Sequence, residues 1–157
     1  MTGVACLGYV DIKEVKAKSD YPSVERLEKG PVAIIECTQN IPCNPCKDAC
    51  PVGAIKFAGQ DITSLPLLDN HACIGCKKCI TCCPGQAIFV VNYAYSQEYG
   101  TVTFPYEYLP VPKEGMVVTG VNRQGQEVCT VRIAKVEQRK AFNKTPLVTV
   151  AVPKEFM

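Results

Sequence analysis

The sequence predicts an α+β protein in three parts: an N-terminal extension over 1–30, a cysteine-rich core over 31–93 and a small antiparallel β-barrel or sandwich over 94–157. Two observations carry this division. Eight of the eleven cysteines form two matching runs in the middle of the chain, and Gly, Pro, Tyr and β-branched residues replace cysteine in the last third.

The extension is polar and mixed, with Ser23 a suitable N-cap and Gly30 a suitable stop for a short helix over Val24 to Lys29. In the core, each half predicts a strand, a ligand loop, a short helix around a Cys-Pro element and a return strand. The return strands are Ala54 to Phe57 and Ala87 to Val91. In the last third, Met116 to Val121, Glu127 to Val136 and Leu147 to Val152 are strand-like, and Asn122-Arg123-Gln124-Gly125-Gln126 joins the first two as a hairpin connection.

The first cysteine run is Cys37, Cys43, Cys46, Cys50-Pro51, and the second is Cys73, Cys76, Cys79, Cys83-Pro84. The second follows the spacing C-x2-C-x2-C-x3-C-P, in which three close thiolates hold one 4Fe-4S cluster and the fourth reaches across to another. Cys43, Cys46 and Cys50 recur 33 positions later as Cys76, Cys79 and Cys83, and Pro51, Ala54 and Ile55 recur as Pro84, Ala87 and Ile88. The core is therefore an internal duplication. The expected ligand sets are Cys37, Cys43, Cys46 and Cys83 for one cluster, and Cys73, Cys76, Cys79 and Cys50 for the other.

One position breaks the repeat. The residue 33 before Cys73 is Asn40, and the nearest thiol is Cys37, at the end of the apolar run Val32-Ala33-Ile34-Ile35. Cys37 can ligate if Thr38 to Pro42 loops out; the alternative is a three-iron cluster on Cys43, Cys46 and Cys83, with Asn40 leaving one corner empty. Ile41, Val52, Ile55, Ile74, Ile80 and Ile88 are placed to keep water from the clusters.

Other chemistries fit less well. Zinc takes four cysteines as two C-x2-C knuckles far apart, an odd cysteine count disfavours a disulfide scaffold, and no C-x-x-C-H occurs for haem. Cys82, in the place of Ala49, reads as a small buried filler; Cys129 alternates with Val131 and Ile133 as core; Cys6 carries no signal. Lys47, Lys77 and Lys78 read as solvated loop residues, with docking of an acidic partner as the alternative. His71 is a loop residue, since the cysteine pattern is complete without it. Tyr93, Tyr95, Tyr99, Tyr106 and Tyr108 suit either a partner surface or half-buried packing in a β domain.

A net charge of +2 from 17 basic and 15 acidic residues gives no general attraction to nucleic acid, and no apolar run is long enough for a bilayer. No charged segment followed by an apolar signal core opens the sequence, and thiolate sites need a reducing compartment, so the expected location is the cytoplasm. There is no G-x-G-x-x-G after a strand, and one histidine cannot supply a Ser/His/Asp set; the chain is not expected to be catalytic alone.

Residues 37 to 84 resemble the bacterial two-cluster ferredoxins, at seven of eight ligand positions. Glu36-Cys37-Thr38-Gln39-Asn40-Ile41-Pro42-Cys43-Asn44-Pro45-Cys46, Cys83-Pro84-Gly85-Gln86-Ala87-Ile88 and the closing Thr145 to Glu155 segment are similar to the small ferredoxin-type subunits of FAD-dependent amine and amino-acid dehydrogenases of anaerobic bacteria. The resemblance covers most of 22–157 and implies a two-cluster ferredoxin fold with Cys37 as a shared, displaced ligand. It also implies a hetero-oligomer. The partner is a flavoprotein of the D-amino-acid oxidase or sarcosine oxidase type, often with a second flavoprotein and a 2Fe-2S protein, and FAD or FMN sits on those partners. The expected role is relaying single electrons between flavins. The alternative is a free-standing diffusible ferredoxin, which such a neutral chain suits less than an acidic one.

Overall fold

The computed structural model describes residues 4–142 and 144–157; residues 1–3 of the expected extension lie outside it. The extension forms three short helices, Val4–Leu7 (α1), Ile12–Lys16 (α2) and Val24–Glu28 (α3). Asp11 and Ser23 cap α2 and α3, their side chains accepting from the amides of Lys13 and Arg26. Helices of four or five residues are marginal in water by themselves, so packing on the core sustains them.

The cysteine-rich part contains Val32–Ile35 (β1), Pro45–Ala49 (α4), Ile55–Phe57 (β2), Pro66–Leu68 (β3), Lys78–Cys82 (α5) and Ile88–Asn92 (β4). A shift of 33 carries α4 onto α5, β2 onto the start of β4, and the end of β1 onto β3. Both helices stop one residue before a Cys-Pro bond, because proline disfavours helical backbone in the residue before it. Cys50 and Cys83 leave their helices in nearly the same extended conformation, φ −76°, ψ 110° and φ −79°, ψ 110°.

The halves pair crosswise. Strand β1 pairs antiparallel with β4 and β2 with β3, so each pair joins one strand from each half. Ile35 faces Ile88 and Leu68 faces Ile55, which is the same register shifted by 33. The amide of Glu36 donates to the Ala87 carbonyl at 2.8 Å, and that of Asp69 to the Ala54 carbonyl at 2.7 Å. Neither half has a complete set of partners by itself.

The last third holds Tyr99–Pro105 (β5), Val117–Val121 (β6), Glu127–Glu137 (β7) and Leu147–Pro153 (β8). Asn122 shapes the β6–β7 hairpin, its Oδ1 accepting from the amides of Gln124 and Gln126. These strands do not make a sheet of their own. They extend the β1–β4 pair into one six-stranded sheet, β1-β4-β5-β8-β7-β6, so the sequence-based boundary at 93/94 falls between two paired strands. The physical reason is that β4 would otherwise present an unpaired apolar edge, which β5 covers. Strand β5 carries a weak sequence signal because Gly100 interrupts it; Met157 packs where a Cβ at Gly100 would stand.

Two bulges, at Val128 against Gly120/Val121 and at Ala134 between Ile133 and Lys135, bend β7. The hairpin tip returns to the far edge, where the Arg123 guanidinium pairs with Glu36 just beyond β1 and Gln124 Nε2 donates to the Tyr9 hydroxyl at 2.9 Å. The two edge strands are thus bridged, and the sheet curls toward closure. One core joins Leu27, Ile35, Ile55, Ile80, Ile88 and Leu147 to Cys46 and Cys79, and a second joins Val131, Ile133, Val148, Val150 and Val152. Among the described residues, no helix is long and apolar enough to cross a membrane.

Leu147 opens β8 yet is wholly buried in the cysteine-side core. Leu147→Ala is expected to cost about 2–5 kcal/mol and to lower the melting of strands and cysteine core together. Two separated transitions, by far-UV circular dichroism and by visible absorbance of the metal-loaded protein, would refute a shared core.

Candidate metal centre

Helices α4 and α5 pack against each other, which brings together the cysteines of both runs. Cys50, Cys73, Cys76 and Cys79 line one cavity, walled by residues such as Ala33, Ile55 and Val90. Cys46 has Cys82, Cys83 and Cys43 as neighbours, and Cys37 has Cys83 and Cys43. The last cysteine of each run therefore sits with the other run's thiols. The Ala54 amide donates to Cys50 Sγ at 3.2 Å, and the Ala87 amide to Cys83 Sγ at 3.4 Å, again related by 33.

This donor set suits a thiolate-bound cluster. Burial pushes the Cys46 thiol up to about 11 and the Cys79 thiol up to about 12, with neighbouring cysteines adding to both. Burial also raises Cys37 and Cys82. Thiols so placed hold their protons at neutral pH until a positive centre draws them off, as metal binding does. Among the described residues, no three Cys, His, Asp or Glu side chains converge closely enough for a single ion. The second group lines one shared cavity instead, whereas zinc draws every sulfur to about 2.3 Å from one centre.

The extension reaches both groups. Lys18 Nζ donates to the Ile35 carbonyl at 2.9 Å, and its charge favours the Cys37 thiolate. Arg26, only 8% exposed, donates to the carbonyls of Asn70 (2.5 Å), Gly30 and Pro31 (both 3.2 Å) and Cys73 (2.8 Å). No carboxylate pairs with it among the described residues. A buried cation without a counter-charge is costly, and four backbone carbonyls, that of Cys73 among them, are what offset it here. Arg26 carries one weak signal in the sequence, a charged residue next to Leu27 on a short helix with little surface to spare.

Lys77 is half-buried with φ 72°. Its Nζ lies 2.5 Å from Glu137 Oε2, which corrects the reading of a solvated loop lysine. Glu137, 6% exposed, also meets Arg139 at 2.6 Å and Lys135 at 3.4 Å. Burial pushes the Glu137 carboxyl up, but the Lys77 hydrogen bond and the three cations outweigh it and hold the group below its ordinary range. The end of β7 thereby clamps the turn between Cys76 and Cys79. In the same loop Gly75 takes φ 62°, and a Cβ there would stand 2.6 Å from Pro31 Cβ.

Other expectations divide. Lys47, Lys78 and His71 are exposed, Cys6 is exposed, and Cys129 packs on the second core. Cys82 is half-buried beside the first thiol group, its Sγ 3.4 Å from the Cys79 carbonyl. Ile55, Ile80 and Ile88 are buried, whereas Ile41, Val52 and Ile74 are exposed, because the ligand turns lie at the surface. Tyr93 and Tyr106 are half-buried, and Tyr95, Tyr99 and Tyr108 are exposed. At the broken repeat the two halves exchange residue types: Cys37 and Asn40 correspond to Asn70 and Cys73. Asn40 is exposed and donates to the Thr63 carbonyl.

Over 88 residues, 55% of its length, the chain is 32% identical to an uncharacterised ferredoxin of Methanocaldococcus jannaschii, 51% of which is covered. It is 31% identical over 96 residues to a second such ferredoxin of that organism, covering 60% of this chain and 55% of the other. Over 47 residues it is 47% identical to the arsenate respiratory reductase iron-sulfur subunit ArrB of a Shewanella species, covering 27% of this chain and 19% of that one. The chain spans about half the length of the two ferredoxins. No family model matches it, and no solved structure matches it significantly. The chain is similar to ferredoxin-type iron–sulfur proteins.

The depressed Glu137 carboxyl contributes stability that is complete above its ordinary value of 4.5 and is lost as pH falls through its folded value. Glu137→Gln is expected to cost roughly 1–3 kcal/mol at neutral pH, less than a fully dry pair because Lys77 keeps some water. Thermal melts in a pH series check this: identical profiles for the two proteins would remove the clamp.

Proposed function

We propose that this chain is a non-catalytic electron-transfer subunit that carries two 4Fe-4S clusters within a ferredoxin-type α+β fold. Cys37, Cys43, Cys46 and Cys83 hold one cluster, and Cys50, Cys73, Cys76 and Cys79 hold the other. The crossed grouping of the thiols carries this reading, because it supplies four sulfurs, one buried and three half-buried, at each of two adjacent sites. When bound, each cluster takes up and releases one electron at a time. The protein's own residues exclude water through Ile55, Ile80 and Ile88, donate the Ala54 and Ala87 amides to ligand sulfurs, and set Lys18 and Arg26 against the added negative charge.

The partner is the remainder of a multi-subunit oxidoreductase in the cytoplasm, with the flavin on other chains, of the FAD-dependent amine or amino-acid dehydrogenase type. A complex is favoured by the exposed Ile74, Tyr108 and Leu109, and by the relative named as the iron–sulfur subunit of a respiratory reductase. A free-standing carrier is the second reading, favoured by the two relatives named simply as ferredoxins.

Anaerobic purification from the source tests both. About eight irons per chain, four for each cube, together with a stoichiometric FAD protein is the expected result. A lone iron-loaded monomer would favour the diffusible carrier, and an iron-free protein would overturn both. Cys37→Ala is expected to lose iron and an electron paramagnetic resonance signal from the first site alone; unchanged iron would strike Cys37 from the ligands. Arg26→Met is expected to lose iron from the second site alone, measured the same way, and full retention there would show that its charge is not needed.

A further inference from the structure

On the face of the sheet turned away from most of the cysteines there is a cavity of about 530 Å³. That is the size of pockets that enclose small organic molecules. It exists because the sheet curls: residues from all six strands line it, and the Arg123–Glu36 pair ties its two edges. Its walls include Ile34, Phe89, Val102, Phe104, Val131 and Val150, and the exposed apolar side chains of Ile12, Val121 and Phe156 stand at it.

The ligand chemistry follows from what else lines it. Arg123 and Glu36 neutralise one another, so the cavity offers no spare charge to an ion. Tyr21 and Tyr93 are half-buried, and neither hydroxyl makes a hydrogen bond among the described residues. Burial raises both phenols, with charged neighbours modifying Tyr21, so both are neutral donors at physiological pH. Together with Phe89, Phe104 and Phe156 they make the lining rich in aromatic rings, which suits a flat partner better than a flexible aliphatic chain.

We propose that this cavity binds a flat, uncharged aromatic molecule with carbonyl acceptors, the ring chemistry of quinones and flavins, with the Tyr21 and Tyr93 hydroxyls donating to it. The absent G-x-G-x-x-G motif removes the usual grip on a dinucleotide, so the ring itself is what the site recognises. The position is pointed: Ile34 and Glu36 line the cavity, Ile35 packs in the cysteine-side core, and Cys37 follows at once. One strand separates the two. Binding stands independently of the electron-transfer role.

Isothermal titration calorimetry on the full, iron-loaded chain tests it with menadione and riboflavin as ring probes and dodecanoate as an aliphatic comparator. At least one ring probe is expected to bind one per chain and more tightly than dodecanoate. Val102→Trp, which fills the cavity, is expected to abolish that binding. Tyr93→Phe, which keeps the packing and removes one donor, is expected to weaken it about tenfold, with iron content and melting temperature unchanged. Binding of dodecanoate alone, no binding of either ring probe, or full affinity in a Tyr21→Phe/Tyr93→Phe double variant would overturn the proposal.

Discussion

The crosswise pairing of two duplicated halves governs the rest of the molecule. Strand β1 needs β4 and β2 needs β3, so neither half can satisfy its backbone hydrogen bonds without the other. The same exchange recurs one level up, where Cys50 lies with the second run and Cys83 with the first. Because both cysteines leave helices of identical length in the same backbone conformation, one local solution is used twice. Strand exchange and thiol exchange are two consequences of a single pseudo-symmetry.

The extension breaks that symmetry while using it. Lys18 reaches the carbonyl of Ile35, and the carboxylate of Asp20 accepts from the amide of Leu68, which is the same place in the other half. Two residues of one short segment thus hold the ends of β1 and β3. Arg26 then fixes the backbone at Asn70 and Cys73, around the residues that depart from the repeat. The extension sets one cation near the Cys37 thiol and another on the Cys73 carbonyl, which a chain near neutrality overall achieves by placement and not by net charge.

The C-terminal strands are part of the same construction. They cover the β4 edge, contribute Leu147 to the cysteine-side core, and end β7 on a buried carboxylate that holds the Cys76–Cys79 turn. Strand β7 carries two bulges, and the hairpin it shares with β6 meets Glu36, one residue before Cys37. One ion pair therefore both closes the cavity and steadies the approach to the first thiol group.

Short-range information was legible in the sequence. The 33-residue offset, the helix stops before Pro51 and Pro84, the Ser23 cap, and the strands around the Asn122 hairpin all follow from spacing and local backbone preference. The C-x2-C turns fix only which sulfurs of one run lie close together, and the place of Cys50 and Cys83 beside the other run's thiols depends on how the two halves pack. Only the tertiary structure decided that β5 to β8 continue the β1–β4 sheet, since a strand's choice of neighbour depends on edges that are far apart in sequence. It also decided that Lys77 turns inward to Glu137, 60 residues away, and that Arg26 is buried against carbonyls. A charge's worth is set by the partners and solvent around it, and neither is written in the residues beside it.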